Sequence, residues 1–172
     1  MIKRFLKSRE RGQAPTNVPL PVGASAPEFS LQSDSGATLK LSDLRGRPVV
    51  LVFYPKDNSS VCSSQLVLYN EAREMFEAHN ARIVGISVDD HLSHQKFARD
   101  LKLSFPLLSD DDPTGETAKE YGVYSEQDKI AERALFVLDE EGRIHWRYVA
   151  PRGVNPGANG ILEALESLDA GD

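Results

Sequence analysis

Cysteine is almost missing from this chain: Cys62 is the single one among 172 residues. One sulfur excludes an internal disulfide, a CxxC redox pair and any multi-cysteine zinc site within one chain. Cys62 is therefore either inert packing or a group that acts alone. Long apolar runs are missing too: the longest, Val49 to Tyr54, falls far short of the roughly 20 residues needed to cross a bilayer. Basic charge is in deficit, with 20 Lys and Arg against 26 Asp and Glu and a net charge of -6. Nothing gathers the basic residues into a face that could hold a phosphate backbone. Neither nucleic acid nor a membrane is an expected partner. There is no internal repeat, no low-complexity tract and no Gly-rich phosphate loop of the P-loop or dinucleotide type.

What is present suits one globular domain. Hydrophobic residues make up 40% and charged residues 27%, enough to bury a real core at this length. Lys3, Arg4, Lys7, Arg9 and Arg11 make a basic start, but no apolar run of signal-peptide length follows it. The expected location is cytoplasmic; a transit peptide is the lesser reading, disfavoured by Glu10. With Pro15, Pro19 and Pro21 and no periodicity, residues 1–21 are expected to be a flexible arm, and 22–172 the folded domain.

The element pattern begins with a hairpin: an apolar segment from Pro27 to Leu31, a turn at Asp34 to Gly36, and alternation from Ala37 to Leu41. Val49 to Tyr54 is β-branched and aromatic throughout, as in a strand covered on both faces of a parallel or mixed sheet. From Cys62 to about Asn80, Leu68, Ala72, Met75, Phe76 and His79 recur at helical spacing and predict one long amphipathic helix. Arg82 to Val88 reads as a second strand and Ser93 to Lys102 as a second helix, with Phe97, Ala98 and Leu101 inward. Phe105 to Leu108 is extended, Asp110 to Asp112 an acidic turn, and Thr114 to Tyr121 a short helix for which Asp112 or Thr114 is the expected cap. Arg133 to Leu138 and Arg143 to Val149 flank Asp139-Glu140-Glu141-Gly142 as an antiparallel hairpin, and Gly160 to Leu168 forms a closing helix. This order predicts an α/β fold with a mixed central sheet, helices on both faces and an N-terminal hairpin, the order of a thioredoxin-like architecture.

Chemistry converges on Cys62, at the start of the predicted long helix. Unpaired backbone N–H groups and the helix dipole stabilise an anion there, and the thiolate is the reactive form of cysteine. The opposing reading is a small buried hydrophobe. Its neighbours Asn58, Ser59, Ser60, Ser63 and Ser64 are small and polar, poor company for a core residue and good company for an exposed sulfur in a substrate loop, so on the residues alone both readings stay open. His91 and His94 stand near Asp89 and Asp90, but without a third ligand at proper spacing they read as helix-start residues. Asp110-Asp111-Asp112 lacks the glycine and distal glutamate of a calcium loop and reads as a solvated turn. Trp146 and Tyr148 on a hairpin strand suit packing better than base stacking, and Gly153, Gly157 and Gly160 suit turns.

The segment from Phe53 to Cys62 carries Pro55, Ser59 and Cys62 in the pattern PxxxSxxC, and it resembles the active-site loop of the peroxiredoxins. Three further stretches resemble the same family, in particular its bacterioferritin-comigratory or PrxQ branch. They are Val22-Gly23 with Ala26-Pro27-Glu28-Phe29, Ser87-Val88-Asp89 with His94, and Phe105 to Asp110. The similarity runs from about Val22 to Leu168. It implies a thioredoxin-like fold and a peroxidatic role for Cys62, whose thiolate attacks peroxide and becomes a sulfenic acid. It further implies that the Ser59 hydroxyl and the backbone N–H groups of Val61 and Cys62 hold the peroxide, that Pro55 shields the pocket, and that Arg133 stabilises thiolate and leaving oxygen. On the residues alone, Arg133 could instead form a surface salt bridge with Glu132 or Asp128.

Two positions depart from that branch. Gln65 stands where a glutamate is common, and Val67 where a resolving cysteine is common. The resemblance therefore implies a one-cysteine cycle: hydrogen peroxide or a small organic hydroperoxide is reduced, and an external thiol, from a thioredoxin-like protein, glutaredoxin or glutathione, restores the cysteine. No cofactor and no metal are expected, and the chain is expected to be a monomer or dimer. A weakened redox sensor or binding module of the same fold is the rival reading. A disulfide-exchange enzyme is excluded, because it needs CxxC and the chain has CxxQ.

Overall fold

A computed structural model describes residues 18–171. Most of the expected arm, with its basic cluster, lies outside the described residues. The packed chain starts ahead of the expected boundary at Val22. Leu20 N–H donates to the Tyr121 carbonyl at 3.1 Å and its side chain packs on the core. The Val18 carbonyl runs so close to Gly122 (φ +76°) that a Cβ there would lie 1.9 Å from the oxygen, a place only glycine can fill.

The strands are β1 (Ser30–Ser33), β2 (Thr38–Lys40), β3 (Val49–Phe53), β4 (Arg82–Ser87), β5 (Leu107–Ser109), β6 (Tyr124–Ser125), β7 (Ile130–Ala131), β8 (Arg133–Leu138) and β9 (Ile144–Ala150). The helices are α1 (Ser60–Glu71), α2 (Arg73–Ala78), α3 (His91–Leu101), α4 (Glu116–Glu120) and α5 (Asn159–Asp169). Seven strands form one mixed sheet in the order β2-β1-β5-β4-β3-β8-β9; β6 and β7 make a small separate hairpin that the sequence pattern does not predict. β3 pairs in parallel with β4 and antiparallel with β8, Phe53 lying opposite both Ile86 and Ala134.

β3 is buried at every residue, and its alternation divides the core. Val49, Leu51 and Phe53 face a cluster completed by Phe136, Ala118 and Tyr121. Val50 and Val52 face a second cluster with Leu66, Tyr69, Phe76, Phe97, Ile161 and Leu165 from the helices on the other side. Period-2 residues in a doubly covered strand must be apolar on both faces, which is why β3 reads as a continuous run.

Four expectations need correction. The long helix is two helices, broken at Ala72, whose φ/ψ of -84°/2° leaves the α region. The break re-phases the stripe: Met75 is 54% exposed, and the buried face upstream is Cys62, Gln65, Leu66 and Tyr69. α4 is capped neither by Asp112 nor by Thr114, since its N-cap is Gly115. Asp110 does that work from outside the helix, accepting from the backbone N–H groups of Thr117 and Ala118 at 2.9 Å each. Asp110 is 2% exposed, not part of a solvated turn, and burial pushes its carboxyl above the ordinary range. Gly160 lies inside α5 rather than in a turn, where a Cβ would come within 2.7 Å of the Trp146 ring. That ring is half-buried against the second cluster and stacked on Tyr148 at 6.3 Å.

Candidate active site

Strand β3, in the interior of the sheet, ends where the chain loops through residues 54–59 into α1. Ser59 is the N-cap: with extended φ/ψ (-75°, 148°), its Oγ accepts from Cys62 N–H at 3.2 Å. A serine cap at this point fixes where the helix begins and sets Cys62 in its first turn. Pro55 is buried and Ser59 half-buried. Val61, the second residue of α1, has no preceding turn to supply an acceptor for its N–H. The Cys62 N–H, expected to face peroxide, is engaged by Ser59.

The sulfur itself corrects the expectation of an exposed thiol. Cys62 is 0% exposed, within the cluster that contains Val52, Tyr54, Leu66 and Leu135, because the first turn of α1 packs down on the sheet. Apolar burial alone would make it inert. Arg133 changes that reading. The first residue of β8, it is 2% exposed, and its Nη1 lies 3.4 Å from Cys62 Sγ. The same Nη1 donates to Gln65 Oε1 at 2.7 Å, while Nε and Nη2 both donate to the Arg152 carbonyl at 2.9 and 2.7 Å.

All of those oxygens are neutral. Among the described residues, no carboxylate forms an ion pair with Arg133; Glu132 and Asp128 instead hold the Arg152 side chain. A buried cation is costly unless an anion accompanies it. The Cys62 sulfur is the acidic side-chain group that the guanidinium touches directly.

Gln65 carries the geometry outward. Its Nε2 donates to the Tyr69 hydroxyl at 3.1 Å, and that hydroxyl donates to the Gly157 carbonyl at 3.0 Å. Burial pushes the Tyr69 phenol up to about 12, so it remains a donor at neutral pH. A chain of bonds thus ties the loop after β9 to the arginine through a neutral amide. Gln65 was legible as a departure but not as an acceptor; its i, i+3, i+4, i+7 spacing with Cys62, Leu66 and Tyr69 is the signal that puts it on the buried face.

His91 and His94 do not converge. His91 opens α3 half-buried, whereas His94 is fully buried beside Asp57 and Asp89. These three bring ligand-type atoms within 4.8 Å of one another, but hydrogen bonds occupy them.

A lone cysteine at a helix start, beside a buried arginine on a thioredoxin-like mixed sheet, defines a peroxiredoxin, a thiol peroxidase among the oxidoreductases. The chain belongs to the AhpC/TSA family, whose model matches residues 22–147. It is similar to the chloroplastic peroxiredoxin Q of Oryza sativa subsp. japonica, 37% identical over 147 residues that cover 85% of this chain and 67% of the relative. It is likewise similar to peroxiredoxin Bcp of Bacillus subtilis (strain 168), 34% identical over 155 residues, 86% of this chain and 94% of that protein. Among solved structures, peroxidoxin BcpB from Mycobacterium tuberculosis superposes with a TM-score of 0.78 at 27% identity, covering 87% of this chain and 98% of that one. AhpC from Enterococcus faecalis does so with a TM-score of 0.80 at 26% identity, covering 88% and 96%. The activity is thus thiol-dependent peroxide reduction, and a single cysteine fits the one-cysteine mechanism.

Proposed function

We propose that Cys62 is the peroxidatic residue and that Arg133, Ser59, Pro55 and the Val61 N–H form its peroxide site. The observation that carries this assignment is Arg133 Nη1 at 3.4 Å from Cys62 Sγ, with no carboxylate paired to the guanidinium among the described residues. The thiolate attacks one oxygen of ROOH. An S–O bond forms, the O–O bond breaks, and RO⁻ leaves to be protonated from solvent while Cys62 becomes a sulfenic acid. Arg133, with five fixed N–H donors, is placed to meet the charge that grows on the departing oxygen. Ser59 Oγ and the Val61 N–H supply donors for the peroxide, and buried Pro55 keeps water from the sulfur.

Recycling follows from the lone cysteine. One external thiol condenses with the sulfenic acid, releasing water and leaving a mixed disulfide; a second thiol displaces the first as a disulfide and restores Cys62. A thioredoxin-like protein, glutaredoxin or glutathione supplies these two electrons, and hydrogen peroxide or a small organic hydroperoxide accepts them. A reducing compartment such as the cytoplasm suits a catalytic thiol of this kind, and the unit is a monomer or dimer. One equivalent of peroxide followed by a sulfenic-acid-specific diketone probe tests the assignment. A probe adduct on the Cys62 peptide, abolished by prior thiol, is expected; no adduct would contradict it.

A second reading draws on the burial of Cys62. A sulfur closed off from large thiols would be oxidised once per subunit and would act as a redox sensor or binding module. The number of peroxide molecules consumed per subunit separates the two.

A further inference from the structure

Midway along the loop that carries Pro55 and Ser59 stands Asp57, 5% exposed and unused in the peroxidatic chemistry. It is bonded in four directions. Its Oδ1 accepts from the Tyr54 hydroxyl at 2.6 Å, and its Oδ2 accepts from the Ser93 hydroxyl at 2.8 Å and faces His94 Nδ1 at 2.8 Å. Its backbone N–H donates to Asp89 Oδ2 at 2.8 Å, and that oxygen also accepts from the Ser87 hydroxyl at 2.6 Å. Burial, reinforced by Asp57, pushes the Tyr54 phenol far above its ordinary range, so Tyr54 stays a donor.

His94 closes the arrangement. Fully buried on α3, it faces the Leu108 carbonyl with Nε2 at 3.0 Å. A carbonyl only accepts, so Nε2 is the donor to it, while Nδ1 faces Asp57 Oδ2. The imidazole therefore bridges the β5 backbone to the middle of the loop. One residue further, Asn58 has φ +68°, the left-handed region that asparagine adopts more readily than other non-glycine residues and that its surroundings accommodate here. Those surroundings are Asp57 on one side and the Ser59 cap of α1 on the other.

We propose that His94 is a positioning residue for the peroxide site: by holding Asp57 it fixes the loop that sets Ser59 and Pro55 against Cys62. This rests on the peroxidatic reading of Cys62 and extends it to a residue that touches neither sulfur nor substrate. Cys62 lies beside Arg133 at the start of α1, and neither of these bonds to His94. Loss of His94 therefore removes the geometry that receives peroxide while leaving the nucleophile in place.

The test compares two reactions of Cys62 in the full-length protein, oxidation by hydrogen peroxide and alkylation by iodoacetamide, in wild type, His94→Gln, Asp57→Asn and Ser59→Ala. Expected for His94→Gln and Asp57→Asn is a fall of about 10- to 100-fold in the peroxide rate constant, the scale of a misplaced reacting group, with alkylation within about twofold of wild type. Added to Ser59→Ala, His94→Gln should slow peroxide far less than it does alone, because coupled groups on one path are not additive. An unchanged peroxide rate, peroxide and alkylation rates falling together, or additivity with Ser59→Ala would each overturn the proposal. Peroxidase activity surviving in Cys62→Ser would instead overturn the reading beneath it.

Discussion

Arg133 and Cys62 stand 71 positions apart in the chain and 3.4 Å apart in space, both buried, the guanidinium without a carboxylate partner among the described residues. Strand β8, antiparallel to β3, brings the first to the end of the strand from which the second departs. The guanidinium and the sulfur thus share one buried site, on which the proposed peroxidatic role of Cys62 rests.

Replacing Arg133 with methionine keeps much of the volume and removes the charge. Arg133→Met should lower the second-order rate constant for peroxide by about 10²–10³-fold, the usual effect of deleting one donor to a developing oxyanion. Competition against a peroxidase of known rate reads this directly, and circular dichroism should show the fold intact. An unchanged rate would remove Arg133 from the site.

Gln65→Leu deletes the acceptor facing Arg133 Nη1 and the donor to Tyr69. Groups left unsatisfied at 0% exposure cost about 1–3 kcal/mol, so urea unfolding should show a loss of that order. Gln65→Glu places a carboxylate beside Arg133 and competes with the thiolate for it. Cys62 in that variant should be alkylated more slowly than wild type at neutral pH.

Asp110 gives a pH-dependent prediction. Burial raises its carboxyl in the folded state, so the stability due to its proton is fully present below the unfolded carboxyl's range. It is lost as pH rises through the higher folded value. Asp110→Asn has no such proton to lose. The stability of Asp110→Asn relative to wild type should therefore shift in the variant's favour between acid and neutral pH. Asp110→Ala, which strips the acceptor from Thr117 and Ala118, should cost about 0.5–2 kcal/mol, as for a lost helix cap. Unfolding curves at two pH values check both.

Local patterns made much of this molecule legible. The apolar run of β3 and the small polar residues around Cys62 mark a strand and a helix start, and PxxxSxxC points to the proposed site within them. The break at Ala72 was hidden, because a re-phased stripe still looks periodic over short windows. Asp110 as a remote cap and Asp57 with His94 were hidden for another reason: their partners lie on other elements, and a polar residue in a loop gives no sign of being buried. His94 shares the inner stripe of α3 with Phe97 and Ala98, which was the available hint. Burial of Cys62 is not legible from its neighbours, because the serines beside it stay half-buried or exposed while the sulfur enters the core.

Peroxide consumption per subunit, measured with excess thioredoxin or glutathione for wild type and Cys62→Ser, bears most directly on the central claim. Repeated turnover by wild type and none by Cys62→Ser is the predicted result. Equal consumption by the two proteins would contradict it, and arrest of wild type after one equivalent per subunit would leave a sensor in place of the enzyme.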